Sequence, residues 1–181
     1  MGIKWLFLRW ALLASLIFAG NLIVIVLGWF EEIYYLDQTW ISYSIIGLFW
    51  VMTVYCGFLT WKANNVFEYL NSGGELAKRN RLLFEKIEHQ TNHGWYAASV
   101  CEKLGLLGTV WGFLLMLLGT GGFSGLEKVD PQKVKELIEQ LGAGLSTAFL
   151  TTLVGIICSI LLSLQYHNLC HFIEEAKIEK R

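Results

Sequence analysis

The chain has 181 residues and a formal net charge of −1 at pH 7, and it is 55% hydrophobic with only 16% charged residues. A soluble domain has about 25% charged residues, and a mean hydropathy of +0.49 leaves too little polar surface for a water-exposed protein of this size. This balance excludes a disordered chain and a basic nucleic-acid-binding surface, and four cysteines are too few for a disulfide scaffold. The composition predicts an integral membrane protein.

Four apolar stretches are long enough to cross a bilayer, which needs about 20 residues in a helix. They occupy residues 5–30, 40–61, 104–122 and 141–169. The first is too long for the apolar part of a cleavable signal peptide, and the second begins and ends with Trp, as interfacial aromatic belts do. The sequence therefore predicts an all-α integral membrane protein with four transmembrane helices, the last extended into the cytoplasm.

The predicted domains follow these spans. Residues 1–61 hold the first two transmembrane helices and a short outer loop, residues 62–94 form a cytoplasmic helical connector, and residues 95–181 hold the third and fourth helices with an outer loop and a cytoplasmic tail. The connector contains two helical patterns around a predicted turn at residues 72–74. It is interpreted either as a docking surface or, by preference, as a solvated extension of the second and third spans.

A single long helix is predicted after the outer loop. Asp130 provides an N-cap and Pro131 suits the first helical position. Because no further Pro follows, one helix of up to about 50 residues, near 75 Å long, is expected to cross the membrane and project into the cytoplasm.

The distribution of basic residues predicts the orientation. Eleven of the 14 Lys and Arg lie on one side of the predicted spans and three on the other. Because short loops rich in Lys and Arg stay in the cytoplasm, both termini are predicted to be cytoplasmic. The loop with Glu31, Glu32 and Asp37, and the loop between the third and fourth spans, are expected outside.

Helical projection gives the third and fourth spans one stripe each of small and hydroxyl-bearing residues, opposite an apolar face. The stripes contain Gly105, Gly108, Thr109, Gly112 and Gly119 on the third span, and Gly144, Thr147, Ala148, Thr151, Thr152, Gly155 and Ser159 on the fourth. Spacing alone favours close helix packing, with hydroxyls bonded to their own helix, over a polar lining. A lone monomer is expected to leave these faces against lipid, which predicts a homo-oligomer.

The amino-acid sequence of these two spans resembles that of a known family. Residues 104–112, Leu-Gly-Leu-Leu-Gly-Thr-Val-Trp-Gly, look like the third-span signature of the MotA/TolQ/ExbB proton-channel family, and residues 144–156 resemble its next pore span. The resemblance covers about residues 101–167. It implies the ring subunit of an ion-driven motor in the bacterial inner membrane, a pentamer around a dimer of a single-span MotB-, ExbD- or TolR-like partner whose membrane Asp carries H⁺ or Na⁺.

The resemblance also implies site residues. It makes Thr109 and Thr152 pore threonines, places Thr147 where ExbB and TolQ have Glu, and makes Thr151 similar to a position in sodium-driven MotA relatives. The small residues predicted to face the pore are Gly105, Gly108, Gly112, Gly144, Ala148, Gly155 and Ser159. Residues 104–122 and 141–169 contain no carboxylate, so the partner is expected to supply one.

Other chemistry is not expected. His167, Cys170 and His171 share a helical side and His89 and His93 form an i, i+4 pair, but interfacial side chains are a better interpretation than a metal site. No nucleophile has an adjacent base, so neither an enzyme nor a cofactor is predicted. A non-conducting four-span membrane sensor or scaffold is the alternative function.

Overall fold

The computed structural model describes residues 4–28, 37, 40–70, 75–119 and 131–178, and within these ranges it has four α-helices and no strand. The helices are α1 (Lys4–Val26), α2 (Ile41–Leu70), α3 (Glu75–Gly119) and α4 (Pro131–Ile178). Each contains a window that is long and apolar enough to cross a membrane, at Leu8–Val26, Ile41–Asn65, His89–Leu118 and Leu141–Glu175. The predicted all-α fold with four membrane-spanning helices is confirmed.

Two of these helices are much longer than a bilayer requires. α4 begins at Pro131 and continues for 48 residues to Ile178, as the sequence predicts. Pro is tolerated there because the first N–H of a helix has no acceptor within it. α3 has 45 residues, so both helices reach about 70 Å at roughly 1.5 Å per residue.

The described parts of the segment at residues 62–94 are continuations of α2 and α3. α2 extends to Leu70 and α3 begins at Glu75, so the domain boundaries drawn after residues 61 and 94 fall inside continuous helices. The predicted turn at residues 72–74, the Asp130 cap and, apart from Asp37, the first predicted outer loop lie outside the described residues. The second predicted outer loop is described only from residue 131, where it is already part of α4. Orientation and domain boundaries therefore stay predictions.

The helices pack around an antiparallel pair formed by α3 and α4, which share the most extensive contact. α2 packs against both of them, whereas α1 contacts α2 and the edge of α4 with only 6% of its apolar window buried. The core lies where α2, α3 and α4 meet, and its fully buried side chains include Ile45, Leu59, Ile87, Leu162 and Ile173.

Polar contacts join α4 to its two neighbours within this core. Tyr166 Oη donates a hydrogen bond to the Met52 carbonyl of α2 at 3.1 Å. Gln165 Nε2 donates to Thr53 Oγ1 at 3.4 Å, and Cys170 Sγ lies 3.5 Å from Thr91 Oγ1 of α3. Because each contact pairs specific groups on two helices, together they fix how far α4 is shifted along α2 and α3.

Candidate functional site

α3 and α4 meet along a seam of small residues, where their backbones approach closely. A Cβ built on Gly112 would lie 2.7 Å from the Gly144 carbonyl oxygen and 2.8 Å from Ala148 Cβ. A Cβ built on Gly155 would lie 2.8 Å from the Cys101 carbonyl oxygen. Larger side chains would separate the helices, so the small-residue seam, which we define by Gly105, Gly108, Gly112, Gly144, Ala148 and Gly155, holds them at this short separation.

Within one chain, the small residues predicted to face a pore lie mostly in this seam. All six members of the small-residue seam are buried between α3 and α4, and Ser159 is half-buried further along α4. The expectation that a monomer leaves these faces against lipid is wrong, because the two faces cover each other. The glycines agree with the interpretation that they allow close helix packing. They give no support to the predicted homo-oligomer.

Two of the four predicted pathway threonines are buried in the helix bundle, and one of them, Thr151, packs against Gly108 of the seam. Thr147 and Thr151 are both fully buried. Thr147 Oγ1 donates to the Ala143 carbonyl at 3.1 Å, and Thr151 Oγ1 contacts the carbonyls of Thr147 at 3.0 Å and Ala148 at 3.1 Å. Their hydroxyl hydrogens therefore bond to backbone carbonyls of their own helix, as packing threonines in membrane helices commonly do.

The other two threonines meet at the edge of the seam. Thr109 of α3 and Thr152 of α4 are half-buried, and their hydroxyl oxygens are in direct hydrogen-bonding contact. Both hydroxyls also reach the Gly105 carbonyl, at 3.1 Å from Thr109 Oγ1 and 3.2 Å from Thr152 Oγ1. A further carbonyl, that of Ala148, lies 3.1 Å from Thr152 Oγ1. We call these two residues the threonine pair.

The threonine pair has a hydrogen-bonding pattern that can rearrange. The donors are the two hydroxyl hydrogens, and the acceptors within reach are the carbonyls of Gly105 and Ala148 and the two hydroxyl oxygens. The pair therefore has more acceptors than donors. Each hydroxyl oxygen has two lone pairs as well as one hydrogen. The pair can therefore accept a hydrogen bond from water, reverse the direction of its own bond, or place oxygen ligands on a small cation.

The sequence prediction did not include one carboxylate, that of Glu102. The predicted third span begins at residue 104, but the apolar window of α3 runs from His89 to Leu118 and includes Glu102 and Lys103. The carbonyl of Cys101 packs against Gly155, so the next residue, Glu102, lies at about the level of Gly155 along the helix pair. The Glu102 side chain is exposed. The absence of a carboxylate therefore holds for residues 104–122 but not for the apolar window of α3.

The histidines form two exposed pairs rather than one cluster. The rings of His89 and His93 on α3 lie 6.3 Å apart, and those of His167 and His171 on α4 lie 6.4 Å apart. Cys170 is directed at Thr91 of α3. Among the described residues, no group of three or more His, Cys, Asp or Glu is arranged to hold a metal ion.

Large apolar side chains cover the faces of α3 and α4 that point away from the seam. On α3, Val110 is 63% exposed and Leu118 is 69% exposed, and on α4, Phe149 is 65% exposed. Such continuous apolar surface requires lipid or another protein chain. The seam faces inward and these faces outward, as expected for helices in a bilayer.

A sequence profile of the MotA/TolQ/ExbB proton channel family matches residues 79–180, more than half of the chain. The chain belongs to the MotA/TolQ/ExbB family. The matched residues cover nearly all of α3 and α4, so they include the small-residue seam, the threonine pair and Glu102. No curated protein and no solved structure matches the chain.

Membership of the MotA/TolQ/ExbB family gives the chain a proton-channel role of the motor type, in a multi-pass membrane protein. Members of this family work in membrane complexes with partner proteins, and the family is not an enzyme class. The resemblance of residues 104–112 and 144–156 to this family is confirmed.

Proposed function

We propose that this chain is the ring subunit of an inner-membrane motor that couples the flow of H⁺ or Na⁺ to work on an envelope-spanning MotB/ExbD/TolR-like partner. The observation that supports this function best is the threonine pair, because it brings a hydroxyl from α3 and one from α4 together at a half-buried position. A pathway through hydrocarbon needs groups that replace the hydration of the ion, and hydroxyls and carbonyls supply them.

The proposed assembly is a homopentamer. Within the described part of a single chain, helix packing closes the small-residue seam, so the seam is not a channel. The exposed apolar faces of α3 and α4 provide surface for contact with neighbouring copies as well as with lipid. In this arrangement both termini are cytoplasmic, and the ion pathway runs between the ring and the partner.

The threonine pair supplies oxygen atoms but no charge. An ion that crosses the apolar layer needs a compensating charge, because an unpaired charge there costs several kcal/mol. We therefore assign the ion-carrying Asp to a single-span partner that stands inside the ring as a dimer. A ring reconstituted without this partner is expected not to conduct.

Valine substitution tests this function, since Val keeps the shape of Thr and removes the hydroxyl. The complex is isolated from native membranes through a tag on this chain and reconstituted in liposomes, where H⁺ and Na⁺ fluxes are measured. Thr109→Val and Thr152→Val are expected to reduce the flux by about tenfold or more while the assembly keeps its size. A Thr152→Val complex with wild-type flux would favour the non-conducting scaffold.

Thr60 offers a matched control for these variants. It is buried in α2, and its Oγ1 donates to the Cys56 carbonyl at 2.8 Å within the same helix. Thr60→Val removes the same hydroxyl group from a helix that does not contribute to the threonine pair. We expect the ion flux through Thr60→Val to equal that of the wild type. An equal loss of flux in Thr60→Val and Thr152→Val would indicate a general effect of losing a hydroxyl.

A further inference from the structure

The register of α3 against α4 places a second polar layer beside the threonine pair. The helices α3 and α4 are antiparallel. A step of seven residues back from Thr109 on α3 therefore runs in the same direction along the helix pair as a step of seven residues forward from Thr152 on α4. Seven residues are two helical turns to within about 20°, so both steps stay on the same helix faces. They reach Glu102 on α3 and Ser159 on α4.

The backbone contacts between these layers support this register. Gly105 lies between the two layers on α3, and its neighbours on α4 are Thr152 and Gly155. Gly155 also packs against the Cys101 carbonyl, one residue before Glu102. The contact between the helices therefore continues from the threonine pair to the level of Glu102.

Within the part of the chain that the structure describes, Glu102 has no hydrogen bond or ion pair from its side chain. Lys103 is its sequence neighbour, but adjacent residues on a helix do not face each other. Glu102 lies inside the apolar window of α3, and an ionisable residue at such a position is costly unless it binds something.

We propose that Glu102, with Ser159 at the same level of α4, is a second cation acceptor on the ion pathway, two helical turns from the threonine pair and nearer to the chain termini. This inference rests on the proposed function. The two layers are about 10 Å apart along the helices, a gap that a short chain of water molecules spans.

The acceptor works differently for the two candidate ions. For H⁺, a carboxylate oxygen of Glu102 forms an O–H bond as the O–H bond of a hydronium ion breaks, and the proton then leaves to water on the side of the termini. For Na⁺, the carboxylate and the Ser159 hydroxyl supply oxygen ligands and no covalent bond changes. In both cases the negative charge comes from this chain, in addition to the carboxylate proposed for the partner.

Carbodiimide labelling tests the site without measuring conduction. Dicyclohexylcarbodiimide modifies protonated carboxyl groups in apolar surroundings, and the modified residue is located by mass spectrometry of the full-length chain from native membranes. We expect modification of Glu102, which lies 13 residues inside the apolar window of α3, but not of Glu174, which is the second-last residue of the α4 window. Protection by NaCl but not by choline chloride would identify Na⁺ as the bound ion, and loss of labelling only as the pH rises would identify H⁺. Equal labelling of both residues would overturn the proposal.

Flux measurements separate this inference from the proposed function. In the reconstituted complex, Glu102→Gln is expected to lower the flux by about tenfold or more, Glu102→Asp to retain part of it, and the control Glu174→Gln to leave it unchanged. A Glu102→Gln complex with normal flux, beside an inactive Thr152→Val complex, would refute the second acceptor and leave the proposed function standing. A wild-type complex that conducts neither ion would refute the proposed function itself.

Discussion

Substitution of Gly112 by Ala tests the close contact of α3 with α4. The new Cβ would lie 2.7 Å from the Gly144 carbonyl oxygen and 2.8 Å from both the nitrogen and the Cβ of Ala148, closer than the 3.0 Å that real Cβ atoms keep. Two of these three atoms belong to the backbone, so no side-chain rotation removes the clash. Such overpacking costs about 1–3 kcal/mol.

Gly142→Ala is the matched control on the same helix pair. A Cβ at Gly142 would have no atom within 4 Å, and the residue is exposed. Both substitutions gain the same helix propensity of about 1 kcal/mol, so the difference between them isolates the clash. We expect Gly112→Ala to be less stable than Gly142→Ala by about 1–3 kcal/mol.

The assay is reversible unfolding in mixed micelles of mild detergent and dodecyl sulfate, followed by the fluorescence of the eight Trp residues. The free energy of unfolding is compared between the two variants under the same conditions. Equal free energies of unfolding would mean that α3 and α4 are not in backbone contact at Gly112, and the register used for Glu102 would then lose its basis.

Three further predictions follow from the described contacts and from the sequence. Tyr166→Phe removes the hydrogen bond to the Met52 carbonyl and is expected to lower the free energy of unfolding in micelles by about 0.5–1.5 kcal/mol; an unchanged value would argue against this link between α2 and α4. Thr151→Val is expected to leave H⁺ and Na⁺ flux within about twofold of wild type, because the Thr151 hydroxyl bonds to its own helix; a selective loss of Na⁺ flux would place it on the pathway. An impermeant thiol reagent added outside should label Glu31→Cys but not Arg79→Cys, and the reverse pattern would invert the predicted topology.

The membrane spans could be predicted because they depend on local composition. Uncharged stretches of about 20 residues have few alternatives to a membrane helix, and Pro131 followed by no further Pro predicts the long α4. The helix ends at Leu70 and Glu75 lie beyond the predicted spans, and the role of the connector stays a prediction. These features require no knowledge of how distant residues pack.

The division among the threonines could not be predicted from the sequence. A helical projection places Thr147, Thr151 and Thr152 on one broad stripe, but only the register of α4 against α3 decides which of them lie inside the contact. That register depends on backbone contacts between residues far apart in the sequence, such as Gly112 with Gly144.

Glu102 was missed for a different reason. The predicted third span begins at residue 104, after the charged residues Glu102 and Lys103, and so does not include this carboxylate. The seven-residue spacing between Glu102 and Thr109 was visible in the sequence and is the signal that could have identified it. Charged residues at the edge of an apolar helix need to be compared with the helix faces before they are assigned to a loop.

The most direct test of the threonine pair compares two substitutions of Thr152 in the reconstituted complex. Thr152→Ser keeps the hydroxyl and loses the methyl group, whereas Thr152→Val keeps the shape and loses the hydroxyl. If the hydroxyl contacts with Thr109 and the Gly105 carbonyl form part of an ion pathway, ion flux through Thr152→Ser will stay close to that of the wild type, while flux through Thr152→Val will fall by about tenfold or more. Normal flux through Thr152→Val together with a loss in Thr152→Ser would show that only the shape of the side chain matters, and would contradict the pathway.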